Sequence, residues 1–521
     1  MSSTASLRPQ IEPIPLAEAL VELSLSGPIP GGDRLVSGVS VDSNDLEAGW
    51  IFVAVGGETF HGIKFAPAAA ERGAVAILTD ERGVREAAEF KLEVPVIEVP
   101  DPRLAAALVA HRIYASTFAD LVLVGVTGTN GKTTTTYLVR GALTPKYQRV
   151  ALMGTLEVAV SDTPIVSSRT THEAPVVYRA LAVAAQNGYR AAVVEASSHA
   201  LSLHRIAGLE FDSVLFTNLQ HDHLDFYGTM DYYFAAKAQL FERTRARRGV
   251  VAVDDQWGQL LAHRAQIPVD TVSALSPTPP DLIGDQHHWA VTSLHNDPER
   301  WGISFQLRDP AGQQHDCFCP IPGKVNVQNA ALALVAGTQL GVTLDEARAG
   351  LAETAPPPGR MELVTTIDRQ PRVLVDYAHT PEAMSALLET LRPLVAGELI
   401  VVFGTDGDRD ASKREELAAI AARGADRLWV TDENPRTEDP QQVRDYLIRG
   451  IRSVRPDLDR VLEVKTSRRD AIRRAILAGR PGDLVVITGK GAEPYQEIDG
   501  VKHAHLDSAV AWEVTRETNL F

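Results

Sequence analysis

Short apolar runs recur along the whole chain, and few of them alternate with polar residues. Examples are "GWIFVAV" (49–55), "VAILT" (75–79), "LVLVGV" (121–126), "AAVVEA" (191–196), "SVLFTNL" (213–219), "RVLVDYA" (372–378), "LIVVFG" (399–404), "RLWVTD" (427–432) and "DLVVITGK" (483–490). Amphipathic stretches such as "PEAMSALLETLRPLV" (381–395) lie between many of them. A strand that is apolar on both faces must be covered on both faces. The pattern therefore calls for parallel sheets with helices outside, an α/β class. In such folds ligands bind beyond the carboxyl ends of the strands. The polar residues that close each run are the ones to read for chemistry.

The chain has 521 residues, enough for two to four domains. Three blocks are expected: 1–107, a small α/β unit; 108–357, which opens on a glycine-rich loop; and 358–521, after the Pro/Gly break "APPPG" (355–359). The segment 275–300 reads as loop or irregular hairpin. There is no internal repeat. The formal net charge of −16 argues against a nucleic-acid binder. The only two cysteines, Cys317 and Cys319, exclude a disulfide scaffold and are too few for a structural zinc; they read as two same-face strand residues. No signal peptide, membrane span or lipidation signal is expected, and a reducing cytoplasm fits best.

"LVLVGVTGTNGKTTTTYLV" (121–139) joins a buried strand to a helical pattern through a loop of Gly, Thr and Asn. Gly128 and Gly131 let amide groups turn toward one anion, and the following helix adds its N-terminal dipole. Lys132 can reach terminal phosphates, and the Thr133 hydroxyl can ligate Mg²⁺. The common phosphate loop has Gly six residues before its Lys; here that position is Val126. The next two runs end in polar clusters. "VVEASSHALSLHRI" (193–206) carries Glu195, Ser197, His199, His204 and Arg205. "FTNLQHDHLDFYG" (216–228) carries His221, Asp222, His223 and Asp225. Adjacent strand ends with this content suggest a metal-phosphate site, with Mg²⁺ as the metal.

"GTNGKTT", "EASSHAL", "TNLQHDHLDFYGTMDYYFAAKAQLF", "GKVNVQNA", "GRME", "DYAHTP" and "GDRD" occur in an order and spacing that resembles the Mur ligase family over nearly all of 1–521. The resemblance implies three domains. A central phosphate-loop domain with a parallel sheet is flanked by an N-terminal UDP-binding α/β domain and a C-terminal Rossmann-like α/β domain. It also implies an ATP-dependent ligase of peptidoglycan synthesis that adds a diamino acid to UDP-N-acetylmuramoyl-L-alanyl-D-glutamate. In that family the shortened loop is the ordinary ATP site. ATP would phosphorylate the substrate carboxylate, and an amine would then attack the acyl phosphate. Positioning and charge stabilisation would carry that chemistry.

By similarity, Lys132, Glu195, His223 and Lys237 are the catalytic set. Thr133, Glu195, His223 and Lys237, the last as a carbamate, would hold Mg²⁺. Thr129, Asn130, Gly131, Lys132, Thr133, Thr134 and Thr135 would bind ATP phosphates, and Asn326 and Asn329 its base or ribose. Arg360, Asp376 and His379 would reach ATP from the third block, with a hinge near "PPPGR". Ser43, Glu58, Thr59, Phe60, Thr170, Thr171, Ser197 and Arg205 would bind the UDP-muramyl dipeptide. Asn44 stands where the family commonly has Arg. Arg409, Glu433, Asn434, Pro435, Arg436, Gly489 and Glu493 would take the diamino acid.

"ENPR" (433–436) resembles the "DNPR" loop of the diaminopimelate-adding members, and Arg436 offers a fork for a distal carboxylate. Glu433 replaces the Asp, and Ala492 a common His. Meso-diaminopimelate is the favoured substrate, with L-ornithine and L-lysine as alternatives. A monomer acting on small molecules is expected, without nucleic acid or membrane insertion. Two other readings stand beside this one: another Mur or folylpolyglutamate-type ligase, and a nucleotide-driven ATPase without ligase activity. Ser43 and the Glu58 turn argue against the first. The Glu195, His223 and Lys237 cluster and "ENPR" argue against the second.

Overall fold

The structure, a computed structural model, describes residues 6–25, 27–57, 59–275, 287–365 and 370–518. The chain divides into two compact units: Met1–Thr292 with Leu307–His315 and Gln328–Leu351, and Ser293–Gln306 with Asp316–Val327 and Ala352–Phe521.

The first unit contains two larger sheets besides the short pair Ile14–Pro15 and Leu35–Val36. A four-stranded parallel sheet is built from Gly38–Ser40, Trp50–Val53, Ala76–Thr79 and Val96–Glu98 in that order. The helix Pro102–Tyr114 packs against it, started by Asp101, whose carboxylate accepts from the amides of Arg103 and Leu104. The larger sheet has Val122–Thr127 at its centre. Ala191–Glu195 and Ser213–Phe216 flank it, both parallel to it. Val150–Met153 continues the sheet on one side, and Gly249–Ala252 and Val269–Ser273 on the other. The chain leaves the central strand in both directions, so the strand order reverses there, and a crevice opens at its carboxyl end. The central residues Val124, Val126, Val193, Val194, Val214 and Leu215 are buried on both faces, which explains their unbroken apolar runs.

The second unit holds a six-stranded sheet in the order Glu362–Thr365, Arg372–Asp376, Leu484–Thr488, Leu399–Phe403, Arg427–Val430, Val461–Glu463. Only the first pair is antiparallel. The predicted cap and first turn at Asp439–Pro440 are present: Asp439 accepts from the amide of Gln441 and opens the helix Pro440–Arg452. A hairpin of Tyr495–Ile498 and Val501–Ala504 follows the last parallel strand.

Each apolar run quoted above contains a strand. Of the segment 275–300, residues 276–286 lie outside the described residues, and the rest is mainly the ten-residue strand His288–Asp297, which pairs with Gly302–Arg308 as the hairpin alternative expects. Its side chains are mixed and only partly buried, so no apolar run marks it. Cys317 and Cys319 are free, buried and two apart on the strand Gln314–Cys319. Among the described residues no helix is long and apolar enough to cross a membrane.

One buried ion pair ties the second unit together. Arg468 and Asp507, both 0% exposed, make two hydrogen bonds of 2.8 and 2.7 Å. Arg468 also donates to the Thr488 carbonyl at the end of the central strand, 2.7 Å, and His505 pairs with Asp507 at 2.9 Å. Arg468→Met strands the carboxylate and should destabilise the unit by about 3–5 kcal/mol, read as a lowered melting temperature. A melting temperature within 1 °C or so of the parent would contradict this role.

Candidate phosphate and amino-acid sites

The loop 127–131 leaves the central strand and turns into the helix Lys132–Tyr147. Gly128 has φ 147° and Gly131 φ 83°. A Cβ on Gly128 would lie 1.9 Å from the Thr217 hydroxyl, so only glycine admits this approach. The neighbouring strand end holds the loop in shape. The Thr129 amide donates to the Asn218 carbonyl (2.9 Å), the Asn130 amide to Asn218 Oδ1 (3.0 Å), and the Thr217 hydroxyl to the Asn130 carbonyl (2.6 Å).

Two lysines converge here. Lys132 Nζ donates to the carbonyls of Gly128 (2.9 Å) and Thr129 (2.8 Å), and Lys237 Nζ donates to the same Gly128 carbonyl (2.8 Å). Lys237 is 1% exposed on the helix Met230–Ala238. Burial, and after it the Lys132 ammonium, hold its pKa well below that of an ordinary lysine. Glu195, also 1% exposed, closes the adjacent strand. Its carboxylate accepts from the Thr155 amide (2.9 Å) and hydroxyl (3.1 Å) and interacts with the Thr133 hydroxyl. Burial raises its pKa, and Lys132 works in the opposite direction. The chain therefore places two cations and one buried carboxyl around an anion-sized loop.

His223 lies in a different setting. It has φ 54°, pairs with Asp222 at 3.4 Å, and meets the rings of His199 (4.8 Å) and Tyr233 (5.9 Å). Among the described residues no three of His, Cys, Asp and Glu are arranged to hold a metal. The oxygen donors Glu195 and Thr133 nevertheless suit Mg²⁺, which keeps several waters and takes few protein ligands. Thr134 and Thr135 sit in the first turn of the loop helix, Thr135 buried. Asn329 is buried against Gly131. Asn326, near the start of the helix Lys324–Gln339, donates to the Pro322 carbonyl at 2.6 Å.

The muramyl-side residues form a connected group. The Thr171 hydroxyl donates to the Glu195 carbonyl (2.6 Å) and to Ser197 Oγ (3.2 Å), Arg205 donates to the Thr171 carbonyl (3.1 Å), and Thr170 accepts from Thr155 (3.1 Å). Beside them opens a cleft of about 440 Å³ lined by Ser43, Asn44, Phe65, Arg103, Arg169 and His172, among others. Arg103, Arg169 and Arg205 all pair with Glu173, at 3.1, 2.9 and 3.0 Å. Three guanidiniums on one carboxylate leave positive charge over, which suits a diphosphate. Sequence reasoning missed Arg103 and Glu173. Glu173 follows the predicted Thr170 and Thr171 closely in the chain, but Arg103 has no motif around it. Thr59 and Phe60 are exposed; Glu58 lies outside the described residues.

In the second unit, Arg360, Asp376 and His379 come together around Tyr377. Arg360 stacks on its ring at 4.4 Å, and His379 meets that ring at 4.6 Å. Asp376 accepts from the amides of Met361 (2.8 Å) and Ala378 (2.9 Å), and burial raises its pKa. The "ENPR" loop lies past the strand Arg427–Val430 and interlocks with 406–407. The Gly407 amide donates to the Asn434 carbonyl (2.8 Å), and a Cβ on Gly407 would strike the Pro435 carbonyl at 1.9 Å. Arg436, at φ 56°, pairs with Asp406 at 3.0 Å, while its Nε has no partner. Arg409 is exposed.

Glu433 is 4% exposed, and its Oε2 has no hydrogen-bond partner. Burial, then Asp406 and Glu493, push its pKa up to about 8, against Arg468 and Lys490. A Cβ on Gly489, at φ 108°, would lie 2.2 Å from Glu433 Oε2. Glycine there leaves room for that carboxyl.

A phosphate loop at the switch point of a parallel sheet, faced by the half-buried Lys132, the buried Lys237 and a carboxyl, defines a phosphate-binding protein of the P-loop class. Three family models match the chain: "Mur ligase family, catalytic domain" at residues 35–114, "Mur ligase middle domain" at 126–337, and "Mur ligase, glutamate ligase domain" at 359–491. It is 42% identical over 504 residues to a UDP-N-acetylmuramyl-tripeptide synthetase of Leifsonia xyli subsp. xyli, covering 95% of each chain. It is 38% identical over 510 residues to the UDP-N-acetylmuramoyl-L-alanyl-D-glutamate--2,6-diaminopimelate ligase of Streptomyces coelicolor, covering 98% of each. A solved structure of a ligase bearing that second name matches at 31% identity with a TM-score of 0.69, over 98% of this chain and 100% of the other. The chain belongs to the Mur ligase family and is an ATP-dependent acid–amino-acid ligase.

The Glu433 carboxyl generates a signed expectation. Its folded pKa of about 8 exceeds the ordinary 4.5, so the folded protein holds a proton that the unfolded chain releases between those values. Stability from this group is complete below 4.5 and is lost as pH rises through about 8. The melting temperature of Glu433→Gln, relative to the parent, should therefore rise between about pH 5 and about pH 9. A pH-independent difference would show that Glu433 is ionised throughout.

Proposed function

We propose that this ligase adds meso-diaminopimelate to UDP-N-acetylmuramoyl-L-alanyl-D-glutamate, with ATP converted to ADP and phosphate, in peptidoglycan synthesis. The observation that carries the substrate is the "ENPR" loop, with Arg436 beside Asp406 and its Nε unsatisfied. A guanidinium in that position can turn its fork to the distal carboxylate of diaminopimelate, which ornithine and lysine lack. Relatives named for 2,6-diaminopimelate match over nine-tenths or more of the chain, which supports the same reading.

The residues divide the work. The loop residues 129–131 and Lys132, with Thr133, Thr134 and Thr135, take the nucleotide phosphates, and Asn326 and Asn329 its nucleoside. Ser43 in the cleft, together with Thr59, Phe60 and Arg205, takes the UDP moiety, while Thr170, Thr171 and Ser197 lead the peptide toward Glu195. A terminal carboxylate oxygen of the substrate attacks the γ-phosphorus, and ADP leaves. The diamino acid's amine then attacks the acyl carbon, and phosphate departs carrying that oxygen. Lys132 stabilises the charge on the transferring group. Thr133, Glu195, His223 and a carbamate on Lys237 would hold Mg²⁺, which would supply charge neutralisation. The carbamate reading is supported by the matching motif and by the geometry: a second ammonium on the Gly128 carbonyl is replaced by an anion.

Arg360, Asp376 and His379 act on the nucleotide, and Arg409, Glu433, Asn434, Pro435, Arg436, Gly489 and Glu493 on the amino acid. The functional blocks are 1–107, 108–357 and 358–521, and the enzyme works as a cytoplasmic monomer.

The test is an incubation with Mg·ATP, the UDP-muramyl dipeptide and, separately, meso-diaminopimelate, L-ornithine and L-lysine, read by phosphate release and product mass. One diaminopimelate per product is expected, and Lys132→Met should lower kcat by about 10²-fold or more. A product with ornithine or lysine alone would overturn the substrate. Steady ATP hydrolysis with no product would overturn the ligation reading.

A further inference from the structure

The amino-acid loop contains a buried ammonium that the mechanism above does not use. Lys490 is 0% exposed. Its Nζ donates to Asn434 Oδ1 and to Glu493 Oε2, both at 2.9 Å, and lies 5.5 Å from the Tyr495 ring centre. Asn434 Oδ1 also accepts from the Glu497 amide at 3.1 Å. Both partners of that oxygen are obligate donors, so the amide cannot flip. Its Nδ2 is thereby directed at Asp406 Oδ1 (2.9 Å) and Glu493 Oε2 (3.2 Å). A chain of contacts then runs Lys490, Asn434, Asp406, Arg436, with Glu493 bridging Lys490 and Asn434. Glu433 stands next to it, with Asp406 and Glu493 as like-charged neighbours and Arg468 and Lys490 as cations.

Three neighbouring carboxyls, the buried Glu433 and the half-buried Asp406 and Glu493, would repel one another without a fixed cation. An amide free to rotate would offer the ligand either a donor or an acceptor. Lys490 removes both uncertainties. We infer that Lys490 is a positioning residue for the incoming diamino acid: its ammonium fixes the Asn434 amide and the Glu493 carboxylate in the directions in which the substrate meets them. The inference rests on the ligase reading of this pocket. It adds a residue, lying between Gly489 and Glu493, that does not itself touch substrate.

Lys490→Met removes the charge and both hydrogen bonds; Lys490→Gln keeps a donor and removes the charge. The full-length variants are assayed with saturating ATP and UDP-muramyl dipeptide while the diamino acid is varied, and then with each of the other two substrates varied. Lys490→Met should raise KM for the diamino acid by about 10-fold or more and leave the KM values for ATP and the muramyl substrate within about twofold. Lys490→Gln should fall between Lys490→Met and the parent. The acidic limb of kcat/KM for the diamino acid should move to higher pH in Lys490→Met, because Glu433 loses a neighbouring cation. An equal rise in all three KM values, or an unchanged diamino-acid KM with a lowered melting temperature, overturns the proposal and leaves a structural brace. Hydrogen exchange on the free proteins separates this from the activity itself. Faster exchange at the Glu497 amide in Lys490→Met is expected even where the parent ligates none of the amino acids, an outcome that would sink only the ligase reading. Unchanged exchange there overturns the positioning role.

Discussion

The carbonyl of Gly128 accepts hydrogen bonds from two lysine amines, Lys132 and Lys237, beside the buried Glu195. Burial and the neighbouring Lys132 disfavour a second ammonium there, and the Lys237 pKa lies well below an ordinary lysine's. The strands on either side of Val122–Thr127 supply the rest of the loop's hydrogen bonds. Positive charge held in place before the ligand arrives needs no reorganisation when phosphate binds. The central sheet is the core of its unit, and the residues just past its strand ends are the ones to which the proposed function assigns the reaction.

The second unit applies the same logic with the signs reversed. Asp406, Glu433 and Glu493 gather around a loop that Lys490, Arg468 and Arg436 hold in place. On the proposed reading these acidic groups would meet an ammonium, as the basic groups of the first unit would meet a phosphate. On that reading, making an acyl phosphate and delivering an amine fall to pockets of opposite charge. A net charge of −16 therefore says little about either site.

Strands buried on both faces, such as Ala191–Glu195 and Leu399–Phe403, were legible because a short continuous apolar run between turn residues fits a doubly covered strand and little else. The strand His288–Asp297 was not, since a half-exposed strand of mixed residues has no such signature. Lys132, Glu195 and Lys237 could be read from motif order, and the structure gathers Lys132 and Lys237 on one carbonyl. Arg103 and Lys490 could not. Their roles come from contacts to residues 70 and 56 positions away, Glu173 and Asn434, which no local pattern encodes. Glycines 407 and 489 belong to the same class: what they make room for is remote in sequence.

The central claim is that ATP is spent on making an acyl phosphate of the muramyl substrate. The most direct measurement uses UDP-muramyl dipeptide labelled with ¹⁸O in the reacting D-glutamyl carboxylate and follows the label by mass spectrometry during turnover. The account predicts one ¹⁸O in the released phosphate for each product formed, because the departing phosphate takes a carboxylate oxygen with it. Phosphate free of label, with both ¹⁸O atoms retained in unreacted substrate while ADP accumulates, would contradict it and leave a protein that only hydrolyses ATP.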